Sequence, residues 1–183
     1  KRAQRAAIAK AVAFVDEPLN DEDGLGAIYP AMGYSLMMYD ALGRDPDDAS
    51  FGTIWRALDR FVVERREEAF VQPCLSPVWD TAFAGHALLA AFEHGMASSR
   101  RTVDTACQWL RERQVTDVRG DWAVSRSKVE PGGWAFQYKN DHYPDVDDTA
   151  VVGMLLHRAD PAKHALAIDR ARRWILGCLL YTS

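Results

Sequence analysis

Three closely spaced aspartates are the residues of this sequence best suited to do chemistry. Asp145, Asp147 and Asp148 lie between Pro144 and an apolar stretch. Carboxylates this close together cannot all ionise freely, so at least one is expected to hold its proton more tightly than a free aspartate does. A carboxyl group kept protonated in this way can act as an acid toward a weak base.

The same aspartates also have a purely structural interpretation. Asp145 could cap the N-terminus of a helix, with Asp147 and Asp148 in its first turn, where the helix dipole favours negative charge. A metal site is a third interpretation, but the run lacks the further oxygen ligands and the loop glycine of an EF-hand. The spacing alone leaves the acid and the cap open.

The elements that must position these residues are predicted to be helices. Apolar residues recur at helical spacing in most of the chain, and no segment predicts a strand pair. The helical stripes include those that begin at Ile8, Phe51, Trp79, Val103, Val146 and Ile168. Helices joined by loops of alternating length are typical of stacked helical hairpins, either an α-solenoid or a closed α/α toroid. In a toroid, the N-terminal ends of the inner helices would face a common cavity.

Two segments interrupt the helical pattern. Residues 66–78 contain Pro73 and Pro77 and predict a domain boundary or a crossover. Residues 116–144 are rich in glycine and proline, and they are too long for a simple connection between helices. The second segment leads directly into the three aspartates.

Composition excludes several functional classes. The formal net charge is −4 and no basic stripe with interleaved aromatic residues occurs, which argues against a general nucleic-acid binder. Cys74, Cys107 and Cys178 are far apart, so neither a zinc site nor a disulfide framework is indicated, and a reducing compartment is favoured. No apolar run reaches transmembrane length, which leaves open a protein that sits on one leaflet.

Three further segments place aromatic side chains around the acidic run. Residues 76–82 form a proline-led helix start with Trp79 in its first turn. Residues 131–138 carry aromatic residues at alternate positions, so Trp134 is expected to face away from Phe136. Gln114 at a helix end is followed by a Gly-x-Trp, in which the glutamine amide could satisfy helix-end groups and the indole could stack on the amide plane.

In this order and spacing, these segments resemble the squalene–hopene cyclases. The resemblance runs from about residue 19 to residue 177, includes residues 24–30 and 72–81, and covers only a central part of the family's length. The D-x-D-D motif alone is shared with class II diterpene cyclases. D-x-D-D preceded by P-G-G-x-A-F-Q and S-P-V-W-D-T favours the squalene-type enzyme, while oxidosqualene cyclases of similar fold carry a different acid motif.

The resemblance implies an all-α fold, a fragment of a two-barrel α/α toroid cyclase. Residues 1–77 would belong to the inserted barrel and residues 78–177 to the catalytic barrel. Gln114, Gly120 and Trp122 would form one of the family's structural QW repeats. Residues 178–183 depart from the family pattern, and we expect them to be a non-native tail.

The resemblance also implies roles for individual residues. Asp147 would donate a proton to a terminal alkene of squalene, with Asp145 and Asp148 as supporting carboxylates. The residues implied to line the substrate cavity are Trp79, Phe136, Ile28 and Tyr29. Aromatic faces can stabilise a migrating positive charge without capturing it. For each aromatic residue taken alone, a plain core position remains the alternative.

The implied product is hopene or hopanol, formed without a metal or organic cofactor. The implied setting is the cytoplasmic face of a bacterial inner membrane, in one leaflet, with no nucleic-acid partner and with a homodimer left open. Two other functions also stay open: a D-x-D-D cyclase of a prenyl diphosphate and a non-enzymatic α-solenoid interaction module. We expect these 183 residues alone to be inactive, because they are too few to enclose a dry cavity and lack the family's histidine partner of the acid.

Overall fold

Helices account for most of the described residues, as the apolar spacing predicts. The structure is a computed structural model that describes residues 1–21, 23–96 and 100–179. The chain divides into two units, Lys1–Leu75 and Ser76–Ser183. This division falls close to the predicted boundary after Pro77, and the assignment of the two parts to two barrels stays a prediction.

The described residues of the first unit form three helices and a hairpin. The helices are α1 (Arg2–Asp16), α2 (Tyr29–Ala41) and α3 (Ala49–Asp59), and the hairpin consists of β1 (Val62–Glu64) and β2 (Ala69–Val71). Pro30 lies in the first turn of α2, where its missing N–H costs nothing. Asp48 caps α3, since its Oδ1 accepts a hydrogen bond from the Ser50 N–H at 2.9 Å. The core of this unit is formed by Met32, Tyr39, Ile54 and Phe61 with their neighbours.

The expectation that no segment forms a strand pair is wrong at one place. Strands β1 and β2 pair antiparallel, with Val62 opposite Val71. Arg65 and Glu68 close the turn through an ion pair of 2.8 Å. Each strand has only three residues, too few to display the alternating apolar pattern by which a strand is recognised.

The second unit contains the acidic run. Its helices are α4 (Pro77–Glu93), α5 (Arg100–Arg111), the short α6 (Trp122–Ser125), α7 (Val146–Ala159) and α8 (Ala165–Leu179). Helix α4 packs against α5, α7 packs against α8, and α7 also lies against both α4 and α5. Side chains from α4, α5, α7 and α8 and the loop residue Trp134 share one apolar core.

Helices α4 and α7 lie side by side and run in the same direction. His86 Nε2 lies 3.1 Å from the Val151 carbonyl oxygen, and further along both helices Glu93 pairs with Arg158 at 2.9 Å. Because the contacts advance together along both helices, the N-termini of α4 and α7 lie at the same end of the unit. The first turn of α7 is the one that carries the aspartates.

Two observations concern the implied membrane setting and the tail. In the part of the chain that the structure describes, no helix combines the length and the apolar character needed to cross a bilayer. Cys178 and Leu179 belong to the last turn of α8. The remainder of the expected non-native tail, residues 180–183, lies outside the described residues.

Candidate active site

The three aspartates begin helix α7 and take different positions in it. Asp145 is the N-cap: its backbone is extended, and its Oδ1 accepts a hydrogen bond from the Asp148 N–H at 2.7 Å. Asp147 and Asp148 lie in the first turn. The helix-cap interpretation of Asp145 is therefore confirmed. It leaves an acid role open, because a cap uses one carboxylate of three.

Burial distinguishes the three carboxyl groups. Asp148 is only 2% exposed, Asp145 is half-buried, and Asp147 is exposed. The pKa of Asp148 is raised to about 8, chiefly by burial and then by hydrogen bonding with Asp145 and by the negative charges of Asp145 and Asp147. The Asp148 Oδ1 has no hydrogen-bond partner among the described residues. The cluster therefore holds a proton at neutral pH, and burial favours Asp148 as the residue that carries this proton.

Trp134 fixes the backbone that leads into the aspartates. Its N–H donates to the Thr149 Oγ1 at 2.9 Å, and its carbonyl accepts from the Asp145 N–H at 3.0 Å. The Thr149 Oγ1 in turn donates to the Asp145 carbonyl at 2.5 Å, and the Trp134 indole N–H donates to the Leu110 carbonyl at 2.6 Å. The position of Asp145 is thus set by a residue that sequence reasoning treated only as facing away from Phe136.

The glycines before Trp134 allow this close approach. A Cβ atom on Gly133 would lie 2.9 Å from both the Pro144 Cβ and the Thr149 Oγ1. One on Gly132 would lie 2.6 Å from the Arg170 carbonyl oxygen. Neither position has space for a side chain, so the two glycines let the loop pass between α7 and α8.

Gln114 and Gly120 contact the loop around Trp134 from outside the acidic run. The buried Gln114 Nε2 donates to the carbonyls of Gly132 and Ala167, both at 2.9 Å. A methyl group on Gly120 would overlap the His142 carbonyl. Gln114 thus joins the loop to the first turn of α8.

The Trp122 ring lies edge-on to Trp174, with ring centroids 5.9 Å apart. This contact ties the short helix α6 to the core of the second unit. Stacking of Trp122 on the Gln114 amide stays a prediction.

Trp79 and Phe136 lie close together beside the N-terminus of α4. Their ring centroids are 6.2 Å apart, and the Val78 N–H donates to the Phe136 carbonyl at 3.3 Å. Phe83 lies one turn after Trp79, with ring centroids 4.7 Å apart, and it is 48% exposed. Sequence reasoning missed Phe83, although its i, i+4 spacing from Trp79 could have indicated the contact.

Trp79 and Asp147 occupy equivalent positions in the two parallel helices. Trp79 is followed by Asp-Thr-Ala-x-x-Gly in α4, and Asp147 is followed by the same pattern in α7. Each residue lies in the first turn of its helix, and the two first turns lie at the same end of the unit. The fold thus brings the most exposed carboxyl group of the acidic run and a large aromatic ring to one end of adjacent helices.

Ile28 and Tyr29 lie in the first unit, at the start of α2. The Tyr29 N–H donates to the Pro73 carbonyl at 2.9 Å, and Ile28 forms an isolated bridge with Cys74. Both side chains are more than one-third exposed. Tyr29 lines a groove of about 540 Å³ together with Tyr34, Met37 and Trp55. That Ile28 and Tyr29 share a cavity with Asp147 stays a prediction.

The chain is similar along its length to one family of proteins. Residues 1–67 match the family profile described as the squalene-hopene cyclase N-terminal domain, and residues 75–180 match the squalene-hopene cyclase C-terminal domain.

Individual relatives give the same result. The squalene-hopene cyclase of Schizosaccharomyces japonicus is 51% identical over 97% of this chain and 27% of its own length. Those of Bradyrhizobium diazoefficiens and Alicyclobacillus acidocaldarius are 47% and 38% identical over 97% and 95% of the chain, and 27% of their own lengths. The chain thus spans about a quarter of the length of these relatives.

Proposed function

The chain belongs to the squalene–hopene cyclase family, and on that premise we propose that it supplies the acid and part of the cavity wall of an enzyme that cyclises squalene. The longer protein would protonate a terminal alkene of squalene and carry the cyclisation through to hopene or hopanol. The observation that carries the proposal is the placement of Asp147 and Trp79 in equivalent first turns of two adjacent parallel helices.

The first step is a proton transfer from the Asp147 carboxyl group. The proton goes to the alkene carbon that already bears a hydrogen, the alkene's electron pair forms the new C–H bond, and a tertiary carbocation results at the carbon that bears the two methyl groups. Asp147 suits this role because its side chain is open at the helix end, whereas Asp148 is buried. The raised pKa of Asp148 keeps a proton within the cluster at neutral pH, and this proton would pass to Asp147 before the transfer to the alkene. Asp145, fixed as the helix cap, accepts a hydrogen bond from the Asp148 N–H and is the supporting carboxylate beside it.

The following steps move positive charge along the folded polyene. Each alkene gives its electron pair to the neighbouring cation, so one carbon–carbon bond forms as each double bond is consumed. The exposed parts of Trp79 and Phe136 present electron-rich faces that stabilise such a cation without forming a bond to it. Loss of a proton to water then gives hopene, and addition of water followed by loss of a proton to a second water molecule gives hopanol.

The setting follows from the substrate. Squalene is an oil that dissolves in the bilayer, so the longer protein would take it from one leaflet, as a monotopic protein on the cytoplasmic face of a bacterial inner membrane. The exposed aromatic residues along the groove beside α2 are compatible with contact to a hydrocarbon chain. Ile28 and Tyr29 would shape the part of the cavity far from the acid.

A chimera tests the proposed reaction. The matched segment of the Schizosaccharomyces japonicus enzyme is replaced by this chain, squalene is added in detergent, and pentacyclic triterpenes are measured by gas chromatography–mass spectrometry. Asp147→Asn should reduce turnover by at least about 10³-fold, since the group that protonates the alkene is lost. Asp117→Asn, an identical change at an exposed loop position, is the matched control and should leave turnover unchanged.

The outcomes separate the functions that the sequence left open. Equal turnover with aspartate and asparagine at position 147 would remove Asp147 from the mechanism and support a role for the aspartates as helix cap alone. A folded chimera that leaves squalene unchanged but cyclises a prenyl diphosphate would assign the chain to the diphosphate-specific enzymes.

A further inference from the structure

Three polar side chains form a continuous hydrogen-bonded link between the parallel helices α4 and α7. His86 Nε2 lies 3.1 Å from the Val151 carbonyl oxygen, and His86 Nδ1 lies 2.9 Å from Arg158 Nη1. The other end of the same guanidinium group, Arg158 Nη2, donates to Glu93 Oε2 at 2.9 Å. Both ring nitrogens of His86 are thus engaged with atoms of α7, and Glu93 of α4 holds the guanidinium in place.

The partners of His86 determine which ring nitrogen carries a hydrogen. A guanidinium group can only donate hydrogen bonds, so Nδ1 has to accept from Arg158 and carries no hydrogen. A backbone carbonyl can only accept, so Nε2 has to donate to Val151. The neutral ring with its hydrogen on Nε2 satisfies both contacts. A second hydrogen on Nδ1 would point at an N–H of Arg158 and break that bond.

A glycine lets the two helices approach closely at this point. A Cβ atom on Gly85 would lie 2.5 Å from the Leu155 Cδ2, so α7 occupies the space that a side chain would need. This close approach brings the imidazole of the next residue, His86, within reach of the α7 backbone. The residue that follows the equivalent glycine of α7 is Met154, which has no side-chain N–H to donate. The link is therefore a feature of this helix pair and not of the sequence pattern that α4 and α7 share.

The link fixes how far α7 is displaced along α4. His86 lies two turns after Trp79, and Val151 lies one turn after Asp147. A slide of α7 by about 3 Å, the rise of two helical residues, would take the Val151 carbonyl out of hydrogen-bond range. The relative position of Trp79 and Asp147 depends on the same displacement, because each belongs to the first turn of one of the two helices.

We propose that His86 is a positioning residue for the acid: with its hydrogen on Nε2 it holds α7 in register with α4 and so sets the place of Asp147 relative to Trp79. His86 acts through the backbone of α7, one turn beyond Asp147, and needs no contact with the substrate. The effect on turnover rests on the proposed cyclase reaction, whereas the hydrogen-bonding state of the ring does not.

Protonation of His86 would open the link. The charged groups along the link are Arg158 of α7, which contacts the ring, and Glu93 of α4, which holds the guanidinium. Helix α5 also packs against α4, but within the described residues none of its charged side chains forms a hydrogen bond or an ion pair with the ring. A histidine ordinarily changes its charge between pH 5 and pH 8. Turnover that depends on the link should therefore fall toward the acid side of that range.

The first test compares substitutions at His86 in the chimera with the Schizosaccharomyces japonicus enzyme. His86→Leu removes both hydrogen bonds and should lower kcat at least about 10-fold with KM changed less than about 2-fold, since the acid is displaced and the cavity wall is kept. His86→Gln offers an N–H and an oxygen on an amide that does not titrate, so it should keep most of kcat at pH 7.5. His94→Leu, the identical change at the exposed C-cap of α4, is the matched control and should leave kcat unchanged.

The pH profile separates positioning from a merely structural role. Between pH 7.5 and pH 5.5 the unaltered chimera should lose more of its kcat than His86→Gln does, because only histidine can become charged. Parallel profiles of the two proteins would overturn the proposal, and so would equal kcat with histidine, glutamine and leucine at position 86. An inactive unaltered chimera would contradict the proposed reaction, and the measurement of the ring then decides on His86.

That measurement uses the 183-residue chain and needs no turnover. Two-dimensional ¹H–¹⁵N nuclear magnetic resonance of the labelled chain at pH 7.5 shows which ring nitrogen carries the hydrogen, and His86→Gln assigns the signals by their loss. We expect a single tautomer with the hydrogen on Nε2, while the exposed His94 in the same spectrum should show both tautomers in exchange. A hydrogen on Nδ1 of His86, or a mixture like that of His94, would contradict the proposal.

Discussion

The Asp145 carboxylate accepts a hydrogen bond from the backbone N–H of Asp148 at 2.7 Å, while its negative charge helps to raise the pKa of the Asp148 side chain. One residue therefore does two things: it begins the helix, and it makes the loss of a proton from its neighbour harder. The helix-cap and acid-cluster interpretations of the aspartate run describe the same arrangement, because the cap is what holds the charges together.

The stability of the chain should depend on the protonation of Asp148. An aspartate in an unfolded chain has a pKa near 3.8, and in the folded chain that of Asp148 is about 8. Between these values the folded state binds one more proton than the unfolded state, so Asp148 stabilises the fold fully below pH 4. That contribution is lost as pH rises toward 8, by at most ~1.4 kcal/mol per pH unit.

The measurement is a urea denaturation series at pH 5 and pH 7.5 for the chain and for Asp148→Asn. The buried His164 has a lowered pKa, chiefly because of burial. Its titration therefore makes the folded chain more stable as pH rises toward about 6.5, which opposes the effect of Asp148. The difference between the two proteins removes this contribution. The unaltered chain should lose stability relative to Asp148→Asn as pH rises, and parallel profiles would contradict the prediction.

The hydroxyl group of Thr149 should contribute more to the free energy of unfolding than its methyl group does. Thr149→Val keeps the shape but removes the acceptor of the Trp134 N–H and the donor to the Asp145 carbonyl, both buried or part-buried bonds. The free energy of unfolding should fall by about 1–3 kcal/mol. Thr149→Ser retains the hydroxyl and is the matched control. Equal losses for valine and serine in urea titrations would show that packing of the methyl group, and not hydrogen bonding, holds the loop.

The two repeated glycines should respond in opposite directions to the same substitution. Gly85→Ala forces the Leu155 side chain to move, because the new methyl group would lie 2.5 Å from it, and should destabilise the chain by roughly 1–3 kcal/mol. Gly153→Ala meets only ordinary contact and should stabilise the chain by up to about 1 kcal/mol through helix propensity. Thermal melts of both variants beside the unaltered chain test whether the two stability changes have opposite signs. A loss of stability in Gly153→Ala would mean that the space beside Gly153, between α7 and α8, is already filled in solution.

Sequence reasoning could predict what depends on neighbours along the chain. The helices follow from apolar spacing, the start of α2 from Pro30, and the cap of α7 from Asp145. The family was recognisable because its motifs are contiguous. The repeated Asp-Thr-Ala-x-x-Gly pattern of α4 and α7 was also present in the sequence, but nothing local indicates that one glycine is covered and the other open.

Only the tertiary structure decided which residue plays which part. Asp147 and Asp148 are adjacent and chemically identical, yet Asp147 is exposed and Asp148 is buried, with 2% of its surface exposed. They differ because the body of the unit lies against one side of α7. Trp134 holds Asp145 in place, and Trp134 is itself fixed by hydrogen bonds to Thr149 and Leu110, which are both distant from it in sequence. Burial and long-range hydrogen bonds depend on which elements meet, and local sequence patterns do not contain that information.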